Sequence, residues 1–205
     1  MNWKSAAYIH LCGLGTRPPR ETALETLRIL AECRVVFSDV ADRKTRRWLN
    51  GYCRLLKNAS GPRAIVARAR REAGPVGVAV WGHPQLTSRL ARGVRESARK
   101  AGIPVAIHAA VSPISSALAR LEGFLGDDCG HAGISAYALE TLLRSARLPD
   151  PEMPLVVFSE PGPRPRWREG VRRLRRLYPK ASLARNPSSA GGEMLLVSPS
   201  PNASR

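Results

Sequence analysis

Three short segments combine glycine, proline and small hydroxyl residues where apolar runs end: Gly13-Leu14-Gly15, Trp81-Gly82-His83-Pro84 and Val111-Ser112-Pro113-Ile114-Ser115-Ser116. These residue types offer backbone rather than covalent chemistry. Glycine lets the main chain approach a ligand, and proline forces a turn that opens backbone groups. Ser115 and Ser116 could cap a following helix and aim its free N–H groups at an anionic or polar ligand. Gly13 and Gly15 fit a tight strand-to-loop turn equally well, and their spacing is not that of the dinucleotide fingerprint G-x-G-x-x-G. His83 can be a hydrogen-bonded loop residue or a base. It has no ligating neighbour in the sequence, so no metal site is expected.

Strands must place these segments. Residues 6–12, 34–40, 77–81 and 105–109 are short, nearly continuous apolar runs, as expected of parallel strands covered on both faces. Helical spacing fills the gaps: Leu24, Leu27 and Leu30 share one face, and so do Leu86, Leu90 and Val94, with Arg92, Arg95 and Arg99 turned to solvent. This alternation predicts a right-handed parallel βαβ sheet, which places the glycine segments at strand carboxyl ends, where open α/β sheets bind ligands. Beyond residue 112 the pattern loosens into a second lobe. A helix is expected around 135–147, a strand at 155–158, a basic helix with Trp167, Val171, Leu174 and Tyr178 on one face, and a closing strand at 194–197. The expected domains are 1–110 and 111–198, with a loose tail at 199–205.

The charge is the unusual feature of the composition. Lys plus Arg number 33 against 16 Asp plus Glu, a net charge of +17, which attracts polyanions unless it is only a solvated surface. A possible anionic partner is therefore expected at the basic surface, RNA and acidic peptide both being open. Cys12, Cys33, Cys53 and Cys129 form no C-x-x-C pair and read as reduced structural thiols. No signal-peptide pattern and no apolar run near ~20 residues is present, so a soluble cytoplasmic protein without a membrane span is expected.

A Gly-rich first loop, a strand ending in Gly-x-Pro and a Pro-x-Ser-Ser segment about thirty residues later resemble, in that order, the tetrapyrrole methylase superfamily. The resemblance implies two α/β lobes, the first a parallel doubly wound sheet and the second a mixed sheet, with S-adenosylmethionine in a cleft between them. It also implies cofactor contacts at Gly13, Gly15, Gly82, His83, Pro84, Pro113, Ile114, Ser115 and Ser116, and a homodimer. Val36-Phe37-Ser38-Asp39-Val40-Ala41-Asp42, continuing through Thr45, Arg47, Trp48 and Leu49, together with Gly-His-Pro, resembles the borosin-type peptide backbone α-N-methyltransferases. That branch also has counterparts for residues 112–117, for Leu121-Glu122-Gly123-Phe124 and its following acidic pair, and for 135–142. The last of these adds Tyr137 as a cofactor contact.

The resemblance implies a methyltransferase acting on a peptide or small molecule, with the peptide supplied as a separate chain. In the borosin branch a Tyr/Arg/Tyr cluster in the helix before the Gly-His-Pro strand helps deprotonate the substrate amide. Here residues 56–65 contain no tyrosine. Lys57 or Arg63 could stand in for the arginine, and Tyr52 is the nearest phenol, so Arg63 and Tyr52 are the catalytic candidates. Loss of a base is severe for so weak an acid as an amide. Two alternatives therefore stay open: a cofactor-binding scaffold without activity, and an RNA methyltransferase suggested by the charge.

Overall fold

The computed structural model describes residues 7–72, 74–119, 133–145, 149–150, 153–159, 166–179, 181–187 and 193–198. Two compact units divide between Ser112 and Pro113. The first unit runs β1 (Ile9–Gly13), α1 (Leu24–Glu32), β2 (Val35–Ser38), α2 (Arg43–Asn50), β3 (Leu56–Asn58), α3 (Pro62–Arg71), β4 (Val76–Val80), α4 (Pro84–Thr87), α5 (Arg89–Lys100) and β5 (Val105–His108). Its five strands lie in the order β3-β2-β4-β1-β5, all parallel.

β1, β2 and β4 are buried along their whole length because helices cover both faces. On one face Ile9, Leu11, Val35, Val78 and Val80 pack against Ile65 and Val66 of α3 and Val94 and Ala98 of α5. On the other, Cys12, Val36 and Ala79 pack against Leu30 of α1 and Leu49 of α2. Each fully buried Val or Leu contributes about 1.5–3 kcal/mol, which explains why the near-continuous apolar runs end up as central strands. β3 had no such signature. Leu56-Lys57-Asn58 pairs with β2 only at the sheet edge, where one side stays wet and an apolar run is not required.

The second unit runs α6 (Pro113–Leu118), β6 (Ser135–Ala138), α7 (Leu139–Arg144), β7 (Leu155–Phe158), α8 (Trp167–Leu177), β8 (Ser182–Pro187) and β9 (Glu193–Ser198). Its sheet has the order β6-β7-β9-β8, with β6-β7 parallel and the other two pairings antiparallel, so it is mixed. Leu155 and Val157 face a core of Leu139, Leu142, Trp167, Leu174 and Tyr178. The expected helix from residue 135 is corrected. Residues 135–138 are extended because they ladder with β7, and the helix begins only at Leu139, after the extended Ala138. β8, with the sequence Ser-Leu-Ala-Arg-Asn-Pro, was not foreseen either, since it is a polar edge strand held by its pairing with β9. The tail at 199–205, Cys129 and the 121–124 segment lie outside the described residues. Among the described residues no helix is long and apolar enough to cross a membrane, and no group of His, Cys, Asp or Glu could hold a metal ion.

On the α1 face of the sheet, His10 of β1 and His108 of β5 form a ring-to-ring hydrogen bond, Nδ1 to Nε2, of 2.9 Å. Tyr8 stacks obliquely on His10 with centroids 4.9 Å apart. Burial, then the neighbouring His108, pushes His10 down to about 4 against a smaller opposing pull from Glu32. Burial also lowers His108, opposed by Glu25. Both rings are therefore neutral in the folded protein at pH 7. Between about 4 and the ordinary value near 6.5 the unfolded chain binds a proton that His10 in the folded chain refuses, so stability falls as pH drops through that window. Allowing for solvent screening the loss is about 1–2 kcal/mol. Melting temperatures from pH 7 to 4.5 should fall more steeply in the parent than in His10→Gln. Parallel slopes would clear the pair of responsibility.

Candidate functional site

The loop after β1 leads to α1 on one face of the sheet, while the loop after the adjacent β4 leads through α4 to α5 on the other. Neighbouring parallel strands whose connections depart to opposite faces leave a crevice at their carboxyl ends, the place where open α/β sheets take ligands. Gly13-Leu14-Gly15 and Trp81-Gly82-His83-Pro84 both stand there. They are joined: Leu14 N donates to Val80 O (2.9 Å), Gly82 N donates to Gly15 O (2.9 Å), and the Trp81 indole Nε1 donates to Thr16 O (3.1 Å).

The glycines serve this junction. A Cβ on Gly13 would lie 2.5 Å from Gly82 O and 2.6 Å from the Ala110 Cβ. Gly82, at φ +65, would set its Cβ 2.6 Å from the Thr87 hydroxyl. At Gly13 the two loops approach each other closely. Thr87 Oγ1 stands 2.7 Å from Trp81 O and 3.0 Å from His83 O and ties the second loop to α4. On the first loop the Glu21 carboxylate accepts from the backbone N–H groups of Thr16 and Arg17 (2.9 Å each) and from Arg17 Nε (2.7 Å). Burial would raise the Glu21 pKa, but the hydrogen bonds from Thr16 and Arg17 win and hold it below the usual carboxylate range.

His83 is half-buried and burial lowers its pKa. Its Nδ1 accepts from Gln85 N (3.3 Å), so the neutral ring carries its proton on Nε2. It caps α4, whose first residue is Pro84. Asp39, directly after β2, shares the same carboxyl edge, one strand from the Gly-His-Pro loop. Burial pushes its carboxyl up to about 6 against a smaller lowering from its own backbone N–H, while the residue keeps an exposed surface. Asp42 has a structural job, capping α2 by accepting from Thr45 N (2.7 Å).

In the second unit, α6 begins at Pro113. Ser115 and Ser116 therefore lie inside its first turns rather than at its cap, because proline, lacking an N–H, suits the first helical position. Ser116 and Ser112 are buried, and Ile114 is half-buried. Tyr137 sits on edge strand β6 with its ring against the α7–α8 core.

Residues 8–184 match the tetrapyrrole (corrin/porphyrin) methylases. The chain belongs to this family. It is similar in fold to a uroporphyrin-III C-methyltransferase from Thermus thermophilus, with 22% identity over 93% of this chain and 91% of that one, and a TM-score of 0.65. A structure of the Thermus thermophilus enzyme complexed with S-adenosyl homocysteine gives 20%, 92%, 96% and 0.64. A cobalt precorrin-4 methyltransferase of cobalamin biosynthesis gives 13%, 94%, 95% and 0.69. No curated protein matches the sequence.

In this methylase fold the two catalytic candidates are not brought together. Arg63 opens α3 at the carboxyl edge beyond β3, three strands or about 14 Å along the sheet from β1. Tyr52 follows α2 at the opposite, amino edge, 44% exposed and edge-on to Trp48 with centroids 5.5 Å apart. Asp39 had no role among the residues singled out in the sequence. The available signal was an acid directly after an apolar strand.

Proposed function

We propose that this family member binds S-adenosylmethionine and transfers its methyl group to an acceptor supplied as a separate molecule. The observation that carries this is the junction of Gly13-Leu14-Gly15 with Trp81-Gly82-His83-Pro84 at the switch point of the sheet. The fit is chemical: main-chain groups, a neutral His83 and small residues border the crevice, and a relative of the same fold is complexed with the demethylated cofactor. The cofactor would supply an electrophilic methyl on a sulfonium. The protein's work is to hold the acceptor in line with it, exclude water and receive the acceptor's proton. Asp39, at the same carboxyl edge one strand away, is the candidate for the last task. When an acceptor takes the methyl group, the Asp39 carboxylate would receive the proton that the acceptor loses.

The borosin resemblance makes a peptide backbone nitrogen the first acceptor class, with Arg63 to orient it and the protein acting as a homodimer. Asp39 favours a second reading. A carboxylate near 6 is too weak to ionise an amide in advance but suffices for a nucleophilic carbon or amine that sheds its proton after attack, as on a tetrapyrrole. Calorimetry is expected to show micromolar binding of S-adenosylmethionine or its demethylated product by a protein that sediments as a dimer. Labelled methyl transfer to peptide, tetrapyrrole and RNA panels then sorts the acceptors. Binding without transfer to any of them would mark a scaffold, and no heat at millimolar ligand would end the cofactor reading.

A further inference from the structure

Helices α7 and α8 border an open groove of about 540 Å³ lined by Leu143, Glu169, Arg172, Arg173, Arg176 and Leu177. Its floor is apolar, since Leu143 and Leu177 are only partly covered by the core beneath them. Not every charge is available. Arg173 donates to Leu143 O (3.1 Å) and Ser145 O (2.6 Å), closing the carboxyl end of α7, and Glu169 is held by Arg166 (2.7 Å). Arg172 and Arg176 are exposed and have no acidic partner among the described residues. Standing four residues apart on one helix, they are separated by a rise of about 6 Å. Same-side residues of an extended peptide repeat every ~6.6 Å, nearly the same interval.

An apolar slot beside two unpaired guanidinium groups selects among polyanions. Nucleic acid would satisfy the charge but leave the leucine floor empty, and base stacking needs an exposed ring. The aromatic residues at the two ends of this helix, Trp167 and Tyr178, are only 8% and 3% exposed. A segment with acids at two alternate positions and an aliphatic residue at the next fits both features. Its carboxylates meet Arg172 and Arg176 in forked pairs, and its side chain covers Leu143 and Leu177. We infer that the α7–α8 groove docks an acidic, leucine-bearing segment of a partner protein. The inference does not depend on the methyl-transfer reading, because no residue of the groove was assigned to it.

The probe is a short fluorescein-labelled peptide with Asp, Glu and Leu at alternate positions, titrated by anisotropy into the full chain over a salt series. The parent should bind it, and changing the peptide's Leu to Ser should weaken binding about tenfold. Arg172→Glu with Arg176→Glu should lose at least roughly tenfold and flatten the salt dependence. An unchanged melting curve for the variant would separate lost contacts from lost fold. Should the variant keep the parent's affinity and salt slope, should the Leu change have no effect, or should oligouridine compete as well as the peptide, the groove is a solvated basic surface and the inference is wrong.

Discussion

Gly13→Ala should lower the stability of the first unit by about 3 kcal/mol, at the upper end of what an added methyl costs in a packed region. The new Cβ meets backbone, Gly82 O at 2.5 Å, and the Ala110 Cβ at 2.6 Å, neither of which can rotate aside. At roughly 2–4 °C per kcal/mol for a chain of this size, the melting temperature should fall by about 6–12 °C. Gly102→Ala supplies the control. Gly102, unlike Gly13, has positive φ, +66, and its Cβ would meet nothing within 4 Å, so there only the backbone strain of about 1–2 kcal/mol is felt. Scanning calorimetry of both decides the matter. A loss at Gly13 no greater than that at Gly102 would show that the two loops give way to the added methyl, against the expectation. Gly82→Val combines both penalties, with φ +65 and the Thr87 hydroxyl in the way, so it should lose stability along with cofactor affinity.

Asp39→Asn should leave cofactor affinity within about twofold and reduce methyl transfer by 10²–10⁴, the usual range for loss of a positioned base. The pH profile carries the sharper signature. A base must be ionised to work, and burial holds this carboxyl near 6, so the rate should rise with pH and level off above that value. The rising limb should vanish in the asparagine variant. If Asp39→Asn keeps both the rate and the limb, the proton leaves by another route and Asp39 is only a surface acid.

The amino-acid sequence by itself determined the central parallel strands and the position of the glycine loops at their carboxyl ends. Burial on both faces writes itself into a strand as a continuous apolar run, readable at residues 77–81 without knowledge of any neighbour. The stripe of Trp167, Leu174 and Tyr178 likewise fixed which face of the basic helix is inside. Tertiary structure decided the rest. Leu56-Lys57-Asn58 and 182–187 became strands because a partner strand was there to pair with. Residues 135–138 became β6 rather than the start of a helix for the same reason. Gly13 lies against Gly82 O, and Gly82 against Thr87; the first contact joins residues far apart in the chain and has no local signature. Asp39 acquired its raised pKa, and Tyr52 was carried to the far edge of the sheet from Arg63, only when the parallel crossovers fixed which end of each element faces the crevice. Solvation and contact across long sequence separation are properties of the folded chain, and no spacing of residue types encodes them.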